Sequence, residues 1–240
     1  MNLKNILIAL IGINLVIAVH EFGHWTMAHL FGVETPTFSI GFGPTVLEKK
    51  IGTTNFELAL FPLGGYVEIL GMRHAVLGKE KASFATQPFS HKVLIMLGGI
   101  LFNILFALLI FGIFGFTPRI PASEKTEKAA TEGEISQEQK TRKRDLIGPI
   151  GIIGIISRGY QYGAAVYWYI LAILSLNLAI FNLFPLPILD GGQLLIQTIE
   201  QVRGKPFTDP IYDIIMFITL FFMIFLFLRI TRQDIKNASQ

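Results

Sequence analysis

Four stretches of about 20 or more apolar residues constrain this chain more than any other feature. They run at about 5–31, 93–116, 164–189 and 211–228. A helix of about 20 residues rises about 30 Å, which matches the hydrocarbon core of a bilayer. The predicted fold class is therefore a polytopic α-helical membrane protein with about four transmembrane helices, and the lipid bilayer is its first predicted partner. Composition agrees, because 52% of the 240 residues are hydrophobic and only 15% are charged, where soluble domains carry about a quarter charged residues. Such an excess of apolar bulk also excludes a disordered chain. The net charge is +3, with the basic residues scattered between apolar runs, so nucleic-acid binding has no support. The first stretch opens like a signal peptide, with Lys4 and an apolar run from Ile6 to Val19. It lacks a small-residue cleavage site and runs directly into HEFGHW, which predicts a retained membrane helix.

The segments between the helices differ in character. Residues 36–70 alternate like strands at Thr37–Ile40 and share one side at Phe56, Leu58 and Leu60, with Gly41, Gly43, Gly52, Gly64 and Gly65 as punctuation. A small membrane-associated sheet of hairpins is expected there. Residues 119–145 turn abruptly to Glu, Lys, Gln and Ala and end in KTRKRD, a linker or short exposed helix too poor in apolar residues to form a core. The stretch GPIGIIGIIS, from Gly148 to Ser157, is expected at the membrane surface. Short cytoplasmic loops attract Lys and Arg. The loops after the first and third helices hold eight of them and the opposite side twelve, so this count favours placing the sheet loop outside.

Ionisable groups are expensive within a bilayer, about 3 kcal/mol each on insertion scales, and mark function by default. The first helix carries three in five residues: His20, Glu21 and His24, in HEFGH. A spacing of four leaves the two imidazoles about 40° apart on one helix face, where both can hold one metal. Glu21 points to a neighbouring sector, suited to a general base acting on water. His29 lies on the opposite face from His20 and is expected to be interfacial; His74 and His91 read as surface residues. The chain has no cysteine, so any metal must be held by His, Asp or Glu.

Two histidines leave a tetrahedral metal short of one protein ligand if a fourth position is kept for water. The third apolar stretch ends in NLFPLPILDGG, where Pro185 and Pro187 break the helix at membrane depth. Asp190, on that broken segment, is the expected third ligand, against the alternative of an N-cap for a helix starting near Gln193. Asn177 and Asn182, on the same helix, either bond a neighbouring helix or support a substrate backbone or developing oxyanion, and the second role suits Asn182 because it adjoins the break. Asn103 reads as structural glue between helices. The glycines after the first helix suggest a further role. Ser39, Ile40, Gly41 and Gly43 are expected to receive an unwound substrate segment as an added strand.

These motifs resemble the site-2 protease family of intramembrane zinc metalloproteases, and within it the bacterial regulator-of-sigma-E protease branch. HEFGH, PTFSIGFGP, FPLGGYV and NLFPLPILDGG carry the match, and GPIGI fits. The resemblance implies one zinc ion on His20, His24 and Asp190, Glu21 as catalytic acid/base, and Asn177 and Asn182 in substrate handling. It further implies transmembrane protein substrates, such as anti-sigma-factor-like regulators or signal-peptide remnants, and a bacterial cytoplasmic membrane. The sheet loop then lies in the cytoplasm, opposite to the basic-residue count. That branch carries PDZ domains between its second and third helices. Here only the run from Arg119 to Asp145 stands in that place, which implies a separate adaptor if substrates are filtered. Non-enzymatic alternatives, a metal transporter or a scaffold for transmembrane segments, leave Glu21 without a role, as does a ferrous site.

Overall fold

The computed structural model describes residues 2–116 and 148–238. The 119–145 run lies outside the described residues. In chain order the elements are α1 (Leu3–Leu30), β1 (Thr37–Ile51), β2 (Thr54–Val67), α2 (Phe89–Phe114), α3 (Pro149–Gln161), α4 (Ala164–Asn182), α5 (Asp190–Arg203) and α6 (Asp209–Ala238). Among the described residues, α1, α2, α4 and α6 are long and apolar enough to cross a membrane, as the apolar stretches predict.

Local chemistry sets the helix ends. Asn2 caps α1 by accepting from the Lys4 amide, and Gly32 follows its last turn with φ of 74°, a left-handed position that favours glycine. Helix α4 ends at Asn182 and not near 189, because Pro185 and Pro187 cannot continue it. The GPIGIIGIIS stretch is helical, with Pro149 in the first turn of α3, where a missing amide costs nothing.

Helices α1 and α2 cross at glycines. A Cβ on Gly23 would overlap the backbone of Gly98 and Gly99, and one on Gly98 would lie 2.6 Å from the Gly23 carbonyl oxygen. Close approach at small residues is the usual contact of membrane helices, where lipid removes the hydrophobic incentive to associate. Helix α4 packs against α1 through Ala9, Val16 and Leu171. It also packs against α2 through Ala107, Ile110, Phe111 and Ala172.

The sheet folds back on itself. Residues 47–51 pair with 54–58 as a hairpin, Ile51 against Thr54 and Leu47 against Leu58. Residues 37–40 lie between two runs of β2, with Thr37–Ile40 beside Asn55–Leu58 on one side and Phe38–Ile40 against Gly65–Val67 on the other. Gly41 and Gly43 bend β1 with φ of 93° and 90°. The far end of the sheet is apolar and exposed at Phe42, Leu47, Leu60 and Phe61. It is tied to the middle of α1, where the Asn14 amide donates to the Pro62 carbonyl. The sheet thus reaches to the depth of Asn14 in α1.

Candidate metal centre

His20 and His24 sit on the α1 face turned to α2 and are 5% and 6% exposed, so neither can rely on water to satisfy its ring. Each imidazole is anchored on its Nδ1 side. His24 Nδ1 donates to the Ile95 carbonyl at 2.8 Å, which leaves Nε2 free of a proton to act as a ligand. His20 Nδ1 lies 3.2 Å from the Asn103 amide nitrogen, while Asn103 Oδ1 is buried without a partner. Amide N and O are distinguished by their hydrogen-bonding partners. Turning this one over gives Oδ1 the His20 Nδ1–H and leaves His20 Nε2 also free to ligate. Gly99 makes the approach possible, because a Cβ there would fall 2.5 Å from His24 Nε2 and 2.7 Å from His20 Nδ1.

The third group arrives from the other end of the sequence. Asp190 is the first residue of α5, after an N-cap at Leu189, and it caps nothing. The helix starts at Asp190 and not near Gln193. Gly191 and Gly192 let its first turn press against the carbonyls of Leu183 and Leu186, which swings the Asp190 carboxylate to the histidines. Its Oδ2 lies 3.0 Å from His20 Nε2 and 3.3 Å from His24 Nε2, and the two Nε2 atoms are 3.2 Å apart. Ligands of a tetrahedral ion with bonds of about 2.0–2.1 Å are separated by about 3.3 Å. All three edges therefore fit a zinc ion capping the triangle. Among the described residues this is the group of His, Asp and Glu able to hold a metal.

Glu21 lies beside this triangle and does not join it. Its carboxyl faces the backbone of Val67, and a Cβ on Gly65 would stand 3.7 Å from its Cγ. The Glu68 amide donates inward to the Thr37 carbonyl, so alternation along the strand turns Val67 and Gly65 outward, towards α1. The unpaired edge of the sheet thus runs past Glu21.

That placement corrects one expectation. Ser39 and Ile40 are paired on both sides and have no free edge for an added strand, while Gly41 and Gly43 form the bend. The free edge next to the site is Gly65–Val67. Of the two asparagines on α4, Asn182 is buried and donates to the Leu178 carbonyl at 3.0 Å. Asn177 is exposed and makes no side-chain hydrogen bond among the described residues. His29 stays outside, bonded to the Trp25 carbonyl and tilted by 33° against the Trp25 ring. Sequence reasoning missed Gly99 and the contact of Asn103 with His20. A GG pair four residues before an Asn in an otherwise bulky apolar helix was the available signal.

Fold and site together define a membrane-embedded metal centre of the HExxH type, completed by an aspartate from a broken helix. The chain belongs to peptidase family M50, whose family model matches residues 8–226. Relatives named as zinc metalloproteases include one from Helicobacter pylori, 40% identical over 108 residues, which cover 44% of this chain and 31% of that protein. Another, from Thermotoga maritima, is 37% identical over 132 residues, covering 50% and 26%. The chain thus matches a third or less of the length of these two. A Clostridium perfringens relative is 23% identical over 330 aligned positions, covering 96% of this chain and 98% of its own.

Proposed function

We propose that this chain is an intramembrane zinc endopeptidase of the site-2 type, hydrolysing peptide bonds within transmembrane segments of single-span proteins. The observation that supports it most is the juxtaposition, at membrane depth, of the His20–His24–Asp190 triangle with Glu21 and an unpaired strand edge at Gly65–Val67. A bound zinc would polarise the scissile carbonyl and acidify the attacking water. The chain's own residues supply the rest. Glu21 accepts the water's proton and returns it to the leaving amine. The outward amides and carbonyls of Gly65 and Val67 bind the unwound substrate as a strand, which holds the peptide extended with little demand on its side chains. Asn182, buried where α4 breaks, supports the substrate backbone, and Asn177 lies on the same helix about one and a half turns before it.

On this reading the enzyme lies in a bacterial cytoplasmic membrane with the sheet on the cytoplasmic side. Its substrates are anti-sigma-factor-like regulators or remnants of signal peptides, and a separate adaptor stands in for PDZ domains. Co-expression with candidate single-span proteins tests it. Uncut membrane fragments should accumulate with Glu21→Gln and not with the wild type; equal processing by both would overturn the assignment.

A further inference from the structure

A polar cavity opens where the loop after the sheet meets the C-terminal end of α5. It has a volume of about 560 Å³ and is lined by Arg73, Thr86, Lys92, Gln197, Glu200 and Lys205, among others. Cavities of this size take small ligands when a few polar groups converge on them. Helix α1 ends, α2 begins, α5 ends and α6 begins at this end of the bundle, and Lys92 stands in the first turn of the α2 span. The cavity therefore sits at the level where headgroup phosphates lie.

Its charges are unequally used. Glu200 is occupied, because its Oε1 accepts from the Phe207 amide at 2.8 Å and from Arg73 at 3.4 Å. Arg73 is held by Glu200, by Asp209 and by the Phe207 carbonyl, and it stacks on the Tyr212 ring. Lys92 and Lys205 form no ion pair among the described residues, the Lys92 ammonium lying only over the Phe84 ring at 5.6 Å, so two cations without a carboxylate partner line one space. A further group points to a ligand. Gln197 is 8% exposed as a residue, lines the cavity, and makes no side-chain hydrogen bond among the described residues, so its amide is open to a ligand there.

We infer that this cavity binds a phosphate group, with Lys92 and Lys205 supplying charge and the Gln197 amide supplying a hydrogen bond. Basic pockets between membrane helices at the headgroup level suit anionic headgroups, and a free phosphate offers the same chemistry. Gln197 lies two turns along α5 from Asp190 and so on the same helix face. A ligand there braces the helix that carries the third metal-site residue. The inference does not depend on the proteolytic reading, because none of the lining residues belongs to the metal centre.

The test uses the full chain in a neutral detergent and follows its thermal unfolding against dioctanoyl phosphatidylglycerol, dioctanoyl phosphatidylcholine and inorganic phosphate in low salt. The anionic lipid should raise the midpoint in a saturable manner and the zwitterionic lipid should not. Stabilisation by inorganic phosphate at similar concentrations would identify a soluble ligand as the source. Lys205→Gln, at an exposed position, should weaken the apparent affinity about fivefold, and Lys92→Gln by a similar factor, with Lys92→Arg restoring most of it. An exposed control, Lys81→Gln, should change nothing. The absence of any saturable shift with both anions, or an equal shift in the Lys205→Gln and Lys92→Gln chains, would overturn the inference. The same shift is expected in Glu21→Gln, so failure here and failure of the protease reading are separate results.

Discussion

Asn103 and His20 meet across the α1–α2 crossing, with the amide 3.2 Å from the ring Nδ1 on the side away from Asp190. The contact fixes which ring nitrogen carries the proton and so which one faces the metal position. Ser175 in turn donates to the Asn103 carbonyl at 3.0 Å, so α4 steadies the residue that steadies the ligand. Replacing Asn103 with Leu should reduce zinc affinity about 10- to 100-fold, the range found for such supporting contacts. Competition with a chromophoric chelator measures this directly. Unchanged affinity would make Asn103 a packing residue only.

The metal triangle and Glu21 should separate in their phenotypes. Glu21→Gln should retain stoichiometric zinc and lose cleavage of a transmembrane substrate by at least about 100-fold, as expected for removal of a general acid/base. His20→Ala and Asp190→Ala should lose both. Zinc content of purified protein, set beside a cleavage assay, distinguishes the two classes. Full zinc loading of Asp190→Ala would remove that residue from the ligand set.

Glycine 99 is a steric test of the same centre. Gly99→Ala places a methyl against both imidazoles, so it should lower zinc occupancy and the thermal midpoint together, at a cost of about 1–3 kcal/mol for overpacking. Gly112 lies further along the same helix with nothing near its Cβ position, and Gly112→Ala should be neutral or slightly stabilising. Thermal melts of the two variants in one detergent supply the comparison, and equal melting would count against the close fit at residue 99.

Substrate pairing should follow the free edge. Val67→Pro removes an outward amide, the one that also faces the Glu21 carboxyl, while leaving the inward ladder bonds of Tyr66 and Glu68 in place, a substitution that edge strands tolerate. Cleavage of a transmembrane substrate should fall at least tenfold with zinc content unchanged. Full activity would place the substrate elsewhere. Proline at Ser39 or Ile40 would break the sheet's own pairing and does not discriminate.

At the opposite face of the membrane, Asp234 of α6 accepts from the Gly148 and Gly151 amides at 3.0 and 3.1 Å. It caps α3 from another helix, satisfying donors that the helix start leaves open. Asp234→Ala should therefore lower stability by about 1–3 kcal/mol, because it leaves the buried Gly148 amide and the part-buried Gly151 amide unpaired. Metal content should be unaffected. A thermal midpoint equal to that of the wild type would show that α6 contributes no anchorage there.

Much of this protein is written in local sequence. Apolar runs of bilayer length can only become spanning helices, because a lipid-exposed backbone must satisfy its own hydrogen bonds. A spacing of four on a helix puts His20 and His24 on one face whatever surrounds them, and Pro185 and Pro187 stop α4 wherever it lies. Other features are decided by contacts between segments remote in the chain, to which no local rule applies. Asp190 is 166 positions from His24, and its choice between capping and ligation is made by the glycines that press α5 onto the Leu183–Leu186 turn. The bend at Gly41 and Gly43 brings two runs of β2 to either side of Thr37–Ile40, and that buries the edge that alternation alone would have offered to substrate. Asn103 reads from sequence as one more amide in an apolar helix. Only the crossing at Gly23, Gly98 and Gly99 makes it the partner of His20, since a single methyl group there would keep the two helices apart.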